Sequence, residues 1–516
     1  MVASTAPGSL APASSDKAFF GHPRGLSTLF FSEMWERFSY YGMRAFLILY
    51  MTAPVELGGL GLSKSTGAAI YGTYTSMVYL LSLPGGWIAD RLIGQRKAVL
   101  FGGILIAAGH FSLALPASAT FYLGLVLIVF GTGLLKPNIS VIVGQLYSRE
   151  DFRRDSGFSI FYMGINLGAF IGPLITGFLV QDAGFRSWIA GMGMDPNSSW
   201  HWGFGAAGVG MTLGLIQYVL GGRHLGEAGT RPTPAASPEA FAQLKTRSTL
   251  ILGGALVALA AFGVALATGA VSVTPEQVTG AYRYLLIAVV LGFFTWLFMG
   301  NTWTREERGR LWVIVAMFTA AALFWSIFEQ AGSTLTFFAD ESTDTRLFGY
   351  GFPSSWFQSL NAMFIVIFAP VFAWIWLKWG DSQPTGPTKF SWGLIGVGLG
   401  FVLLVPAARL VAGGAQVSPL WLTATYLLHT WGELCLSPVG LSSMTKLAPP
   451  RIMSLMMGVW FLAASVGNYL GGEMAGLYET LPLQNIFGYV GLFGVLAGLV
   501  MLVFSGKLAK MMHGVK

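Results

Sequence analysis

Ser32-Glu33-Met34-Trp35-Glu36-Arg37-Phe38-Ser39-Tyr40-Tyr41-Gly42-Met43-Arg44 lies inside a run that is otherwise apolar from Leu26 to Met51. Four charged side chains therefore fall within about three helical turns, at roughly 3.6 residues per turn. Glu33, Arg37, Tyr40 and Arg44 are spaced four, three and four apart and share one face, with Glu36 flanking it on one side and Tyr41 on the other. A charge at the bilayer centre costs on the order of 3 kcal/mol, so such residues face a protein interior or a watery cavity and take partners there. A Glu33–Arg37 ion pair alone would serve as a packing device. Two carboxylates and two guanidiniums exceed that need, and Arg44 has no acid within reach on its own helix. The stripe reads as the lining of a pathway, with Arg44's partner supplied by another helix.

The rest of the chain makes that helix one of many. Of 516 residues, 54% are hydrophobic and only 10% charged, which excludes a soluble fold and predicts an all-α polytopic membrane protein. Abundant Gly (68) and Phe (39) suit close helix packing and lipid-facing surfaces. Cys435 is the single cysteine, so an intrachain disulfide and a thiolate metal cluster are both excluded. Met1–His22 is rich in Ala, Ser and Pro and lacks an apolar core, so it reads as a tail and not a signal peptide.

Fourteen apolar spans are predicted, near 26–51, 66–90, 97–115, 119–147, 157–181, 201–221, 248–269, 280–301, 311–338, 354–378, 391–412, 418–445, 453–477 and 485–506. Each approaches the roughly 20 residues that a spanning helix requires. With the N-terminus in the cytoplasm, 22 of the 30 Lys and Arg fall on the cytoplasmic side. Lys64, Arg186, Arg283, Arg346 and Arg409 fall outside, and Arg37, Arg44 and Lys136 lie within helices. This satisfies the positive-inside rule and puts both termini in the cytoplasm of an inner or plasma membrane. The net charge of +7 is accounted for by this asymmetry, without a nucleic-acid partner.

The organisation is six plus two plus six: a tail (1–25), a six-helix bundle (26–221), a Pro/Ala/Ser-rich cytoplasmic linker (222–247), an inserted hairpin (248–301), a second six-helix bundle (302–508) and a short tail (509–516). Neither hairpin span carries an ionisable group near mid-depth, so the hairpin reads as peripheral and lipid-facing. After the second span comes Gly85-Gly86-Trp87-Ile88-Ala89-Asp90-Arg91-Leu92-Ile93-Gly94-Gln95-Arg96-Lys97, in which Gly86, Asp90, Arg91 and Gly94 resemble the loop signature of the major facilitator superfamily. That resemblance implies a latch between the two bundles on the cytoplasmic side.

Further polar groups interrupt the apolar spans. Lys136 precedes Pro137 deep in the fourth span; an ammonium there either snorkels to a headgroup or meets a carboxylate or an anionic substrate. Asn166 in the fifth span reads equally as interhelical glue or as a substrate hydrogen bonder. Glu329 follows Phe324-Trp325-Ser326-Ile327-Phe328, an aromatic setting in which a carboxyl suits a proton carrier. Asn361 is a further buried amide. Glu433 lies in His429-Thr430-Trp431-Gly432-Glu433, with Pro438 expected to break the helix below it, and His429 reads as structural. Trp460 reads as a cavity wall or as packing. The first bundle thus supplies cations (Arg37, Arg44, Lys136) and the second supplies anions (Glu329, Glu433). One positive and one negative wall suit a zwitterion such as a short peptide; sugars and lipophilic drugs lack that charge pattern.

Glu33-x-x-Glu36-Arg37-Phe38-x-Tyr40-Tyr41-Gly42 resembles the span-one motif of the proton-dependent oligopeptide transporters of the major facilitator superfamily. Phe161-Tyr162…Asn166-x-Gly168, Phe324-Trp325-x-x-Phe328-Glu329-Gln330 and Ser437-Pro438-Val439-Gly440 resemble its other signatures, and bacterial members carry the extra hairpin. The resemblance implies symport of di- and tripeptides with protons by alternating access, with no cofactor, no enzymatic activity and a monomer as the working unit. It implies that Arg44 and Lys136 hold the peptide carboxylate, that Asn166, Asn361 and Glu433 hold the amino end, and that Tyr40, Tyr79 and Trp460 line side-chain pockets. Glu33, Glu36, Arg37 and Glu329 would couple protons, and Arg44–Glu329 and Lys136–Glu433 would be pairs that form and break. Animal members carry a histidine in the second span, and 66–90 has none, so carboxylates must do the proton work. The alternative substrate is another small anion or zwitterion, such as nitrate or an amino acid derivative.

Overall fold

A computed structural model of the chain describes residues 16–148, 150–230, 232, 237–299, 303–347 and 349–514. Most of the predicted N-terminal tail, Arg149, much of the linker around Arg231 and Lys516 lie outside the described residues. Fourteen long helices are present among those described, eleven of them long and apolar enough by length and composition to cross a membrane. The first six are α1 (Arg24–Thr52), α2 (Lys64–Leu80), α3 (Gln95–Leu113), α4 (Ser118–Gln145), α5 (Arg154–Gln181) and α6 (Ser199–Gly221). Two more, α7 (Pro238–Ala267) and α8 (Pro275–Met299), form the hairpin. The last six are α9 (Arg305–Phe328), α10 (Ser359–Trp379), α11 (Gly386–Ala412), α12 (Leu420–Leu447), α13 (Met456–Ala475) and α14 (Leu483–Met511). The fold is all-α and polytopic apart from a two-residue β-hairpin, Arg346–Leu347 with Tyr350–Gly351.

Packing follows the small residues. In the first six helices α1 lies against α5 and α6, and α3 against α4 and α6; in the last six α11 lies against α12 and α14, and α9 against α13. The two groups meet chiefly where α2 crosses α13 and α5 meets α10. At the first crossing a Cβ on Gly72 would stand 2.6 Å from Gly472 Cα, so only glycine permits that approach.

Four local expectations are corrected. The segment read as a loop after the second span is helical almost throughout: Ser82–Ile88 is α-helix and Ala89–Ile93 is π-wound. Pro84 falls in the first turn of Ser82–Ile88, where a missing N–H costs little, so the chain restarts a helix there. The reversal is confined to Gly94, whose φ of +78° a side chain would resist and whose N–H bonds the Ala89 carbonyl at 2.9 Å. The ninth span is not continuous either. It breaks after Phe328 into a 3₁₀ turn, Glu329–Gly332, and restarts at Thr334–Glu341, so Glu329 sits at a helix end. Conversely, Pro438 does not break its helix: α12 runs through it to Leu447. The hairpin, finally, is peripheral in only one of its helices. Among the described residues of α7 only Ser248 is buried, whereas α8 buries Thr279, Tyr282, Leu286 and Leu297, a 3–4-spaced face turned to the body of the protein.

Candidate functional site

The charged stripe of α1 is built as its spacing requires. Arg37 Nε lies 3.0 Å from Glu33 Oε1 and also pairs closely with Glu36, so one guanidinium serves two carboxylates. All three are nearly inaccessible: Glu33 and Arg37 are 3% exposed and Glu36 0%. Burial of that depth is tolerable only because opposite charges meet inside it. The Arg37 guanidinium also stands 5.6 Å from the centre of the Tyr40 ring.

Two turns further along α1, Arg44 finds its partner across the molecule. It forms a close ion pair with Glu329, at the C-terminal end of α9. Its Nε donates to the Tyr71 hydroxyl of α2 at 2.5 Å, and its guanidinium stands 5.8 and 5.9 Å from the Tyr41 and Tyr71 rings. Tyr71 was not among the residues singled out from sequence. A buried phenol seeks a polar partner, and that was the available signal.

Between the two groups lies a cavity of about 270 Å³. Glu33, Arg37 and Tyr41 of α1, Lys136 of α4, and Tyr162 and Asn166 of α5 line one side, while Asn361 of α10, Glu433 of α12 and Phe461 of α13 line the other. Lys136 Nζ sits 3.7 Å above the centre of the Tyr79 ring and 5.8 Å from that of Phe461. Opposite, Glu433 accepts a 2.9 Å hydrogen bond from Asn361 Nδ2, which also donates to Thr430 Oγ1 at 3.1 Å. No ion pair joins Lys136 to Glu433 among the described residues. Asn166 uses its amide on the Tyr162 carbonyl at 2.9 Å, a bond along its own helix.

The structure thus brings Glu33, Arg37, Lys136, Asn166, Asn361 and Glu433 to one cavity, with Tyr79 beneath the lysine. Tyr40, Arg44, Glu329 and Trp460 are buried beside it and do not line it. Trp460 packs edge-on to Trp325 at 6.5 Å. Phe461 completes the surroundings without a sequence signal beyond an aromatic position, whereas Tyr162 and Thr430 stand in the sequence stretches around Asn166 and Glu433 with no role of their own implied there. The segment containing Gly86, Asp90, Arg91 and Gly94 makes a local side-chain bond, from Gln95 Nε2 to Asp90 at 2.8 Å, and just beyond it Arg96 reaches the chain after α6, donating to the Gly222 carbonyl at 2.9 Å.

Polar ties between the groups gather toward the Thr52 end of α1. Lys64 pairs with Glu341 at 2.5 Å, and its backbone N–H donates to Glu479 at 2.8 Å. Gln181 bonds Ser354 at 2.7 Å and Asp340 at 3.2 Å and accepts from Ser355, while the Trp356 indole donates to the Leu174 carbonyl at 3.0 Å.

Comparison with known proteins gives this arrangement its context. The family model described as PTR2, POT family, matches residues 96–490. The chain is 40% identical over 514 residues to the peptide transporter YePEPT of Yersinia enterocolitica subsp. palearctica serotype O:3, covering 96% of each chain. It is 36% identical over 514 residues to the di-/tripeptide transporter of Lactococcus lactis subsp. cremoris, covering 97% of this chain and 99% of that one. The crystal structure of a POT family transporter in complex with a thioalcohol conjugated peptide superposes with a TM-score of 0.85 at 39% identity, over 96% of this chain and 98% of that one. Matched by the family model over most of its length and by these relatives over nearly all of it, the chain belongs to the POT family.

Proposed function

We propose that this protein imports di- and tripeptides together with protons by alternating access, and that the state described is sealed on the outside. The observation that carries the reading is one cavity with an ammonium, Lys136, on one wall and a carboxylate, Glu433, on the other. Unpaired with each other, the two are available to the carboxylate and amino ends of a zwitterion. The volume of about 270 Å³ lies at the small end of ligand cavities, which run to about 300–1,000 Å³. A short peptide suits that size. The similarity to a peptide transporter and to a di-/tripeptide transporter supports the same substrate class.

In this reading both termini are cytoplasmic, as the Lys and Arg distribution favours, so the tied Thr52 end faces outward. The six-plus-two-plus-six division of the chain follows, with one pathway per monomer. Lys136 and Arg44 attract the peptide carboxylate; Asn166, Asn361 and Glu433 hold the amino end; Tyr40, Tyr79 and Trp460 border side-chain pockets. Glu33, Glu36, Arg37 and Glu329 handle the proton. Protonating Glu329 removes the charge that holds Arg44, freeing the guanidinium and loosening the tie between α1 and α9. Each proton entering down a potential of about 100 mV contributes about 2.3 kcal/mol. That the bonds described for the Asp90 segment stay within the first group and the chain following it fits a cytoplasmic latch released in this state.

The test is uptake of labelled dialanine into proteoliposomes with and without an imposed proton gradient, in competition with unlabelled dipeptide, tripeptide and nitrate. Gradient-driven uptake blocked by di- and tripeptides is expected. Absence of peptide uptake, or block by nitrate alone, would overturn the substrate assignment.

A further inference from the structure

The inserted hairpin is joined to the seam between the two groups by one phenol. Tyr282 of α8 places its hydroxyl 2.7 Å from Ser76 Oγ of α2 and 3.2 Å from Ser465 Oγ of α13. The two serine oxygens are 2.8 Å apart. The Ser76 hydroxyl reaches the Ser465 carbonyl at 2.6 Å, and the Ser465 hydroxyl reaches the Ser76 carbonyl at 3.0 Å. With each serine O–H donated to the opposite carbonyl, the Tyr282 O–H is the proton left to reach the serine oxygens. All three side chains are buried, at 0% exposure for both serines and 4% for Tyr282.

The remaining attachments of α8 are unequal. Arg283 holds Glu473 of α13 through both carboxylate oxygens at 2.9 Å and donates to the Tyr469 hydroxyl at 2.9 Å. Toward α2, α8 packs along the helix and adds a polar contact of 3.4 Å between Thr66 and Glu276, near the helix ends. The charged attachments of α8 thus go to α13 while its backbone packs against α2, so the helix spans the seam with Tyr282 at the crossing. Ser76 lies twelve residues beyond the start of α2, about 18 Å along the helix at 1.5 Å per residue, and so at about mid-membrane depth.

We propose that Tyr282 is a positioning residue of the transport cycle: its hydroxyl pins the α2–α13 seam shut in the state sealed at the Thr52 end, making α8 a working part of the gate. The proposal rests on the alternating-access reading above. When the seam parts, the Arg283–Glu473 pair favours α8 staying with α13, and the hydrogen bonds that break are those from Tyr282 and Ser465 to Ser76. Breaking them exposes hydroxyls and carbonyls that the sealed state satisfies internally, and that difference favours closure.

The experiment places spin labels on Val55→Cys and Leu477→Cys, exposed positions at the Thr52 end of the two groups, in a Cys435→Ala background. Inter-label distances are measured in proteoliposomes without substrate, under conditions in which the otherwise unsubstituted chain populates both short and long distances. Tyr282→Phe keeps the ring and removes only the hydroxyl. It is expected to lower the ratio of sealed to opened populations about 2- to 10-fold, the effect of one neutral hydrogen bond. Leu256→Ala, on the exposed surface of α7, is expected to leave the ratio unchanged. An unchanged ratio in Tyr282→Phe would overturn the proposal, and so would an equal shift in Leu256→Ala, which would mean general loosening of the hairpin. Because no substrate is present, a chain that failed to take up peptides would refute the substrate reading while leaving this outcome interpretable.

Discussion

Two charge pairs expected to form and break occupy different states in one structure. Arg44 and Glu329 are joined, with Tyr71 bonded to the same guanidinium; Lys136 and Glu433 stand apart, one over the Tyr79 ring and the other held by Asn361. The first pair lies between the cavity and the tied end of the molecule. The second pair's members lie on opposite walls of the cavity itself. The contrast teaches that charge complementarity between the two groups has two uses here. At Arg44–Glu329 it closes a seam, and at Lys136 and Glu433 it leaves two opposite charges for a bound molecule to satisfy.

The comparison is broken most severely at the closed pair. Glu329→Gln removes the charge that binds Arg44 and, in the proposed cycle, the group that takes up the proton. Counterflow of peptide across the bilayer is expected to survive, while accumulation driven by a proton gradient is expected to fall to background; gradient-driven accumulation at the unsubstituted level would refute the assignment of Glu329. Next in size is the open pair. Lys136→Gln keeps polarity but removes the ammonium, so dipeptide affinity should fall about 30- to 5,000-fold, equivalent to about 2–5 kcal/mol for losing one partner of a buried charge contact. Dialanine binding by calorimetry would measure it, and a loss under threefold would place Lys136 outside the site. The smallest effect sharpens the comparison: Tyr71→Phe deletes one hydrogen bond to Arg44 and leaves its ion pair intact. A change of about tenfold or more in half-maximal peptide concentration, with Lys136-dependent binding retained, is expected from the typical worth of about 1.5–3 kcal/mol for a bond to a charged group. No change would show that Glu329 alone positions the guanidinium.

Much of this was legible in advance for a definite reason. Charges in a bilayer core are costly enough to stand out against the apolar background, so Glu33, Glu36, Arg37, Arg44, Lys136, Glu329 and Glu433 could be singled out one by one. Spanning helices are announced by length and hydropathy, and the fourteen expected spans all correspond to helices. Neutral polar groups carry no such signal. Tyr71, Tyr282, Ser76 and Ser465 pass unnoticed in apolar runs because Ser and Tyr are common there, and their importance comes from partners on other helices, 27 residues away for Tyr71 and 206 or 389 away between Ser76 and its partners Tyr282 and Ser465.

Pro and Gly were also unreliable guides. Pro438 sits inside an intact helix, whereas the helix carrying Glu329 breaks without a proline, at Gln330-Ala331-Gly332-Ser333. Membrane helices tolerate proline when neighbours or local rewinding satisfy the freed carbonyl, and that compensation is not written locally.

What the sequence determined by itself is therefore the local and the costly: an all-helical membrane fold, the charged face of α1, and the division of cations and anions between the two groups of helices. These follow from hydropathy and helical period, which operate over a few turns. Only the tertiary structure decided which charges meet, that Lys136 and Glu433 share a cavity while Arg44 and Glu329 close a seam, and that α8 faces inward while α7 does not. Those outcomes depend on contacts between helices distant in the chain, where side-chain shape and the few available hydrogen-bond partners select one packing.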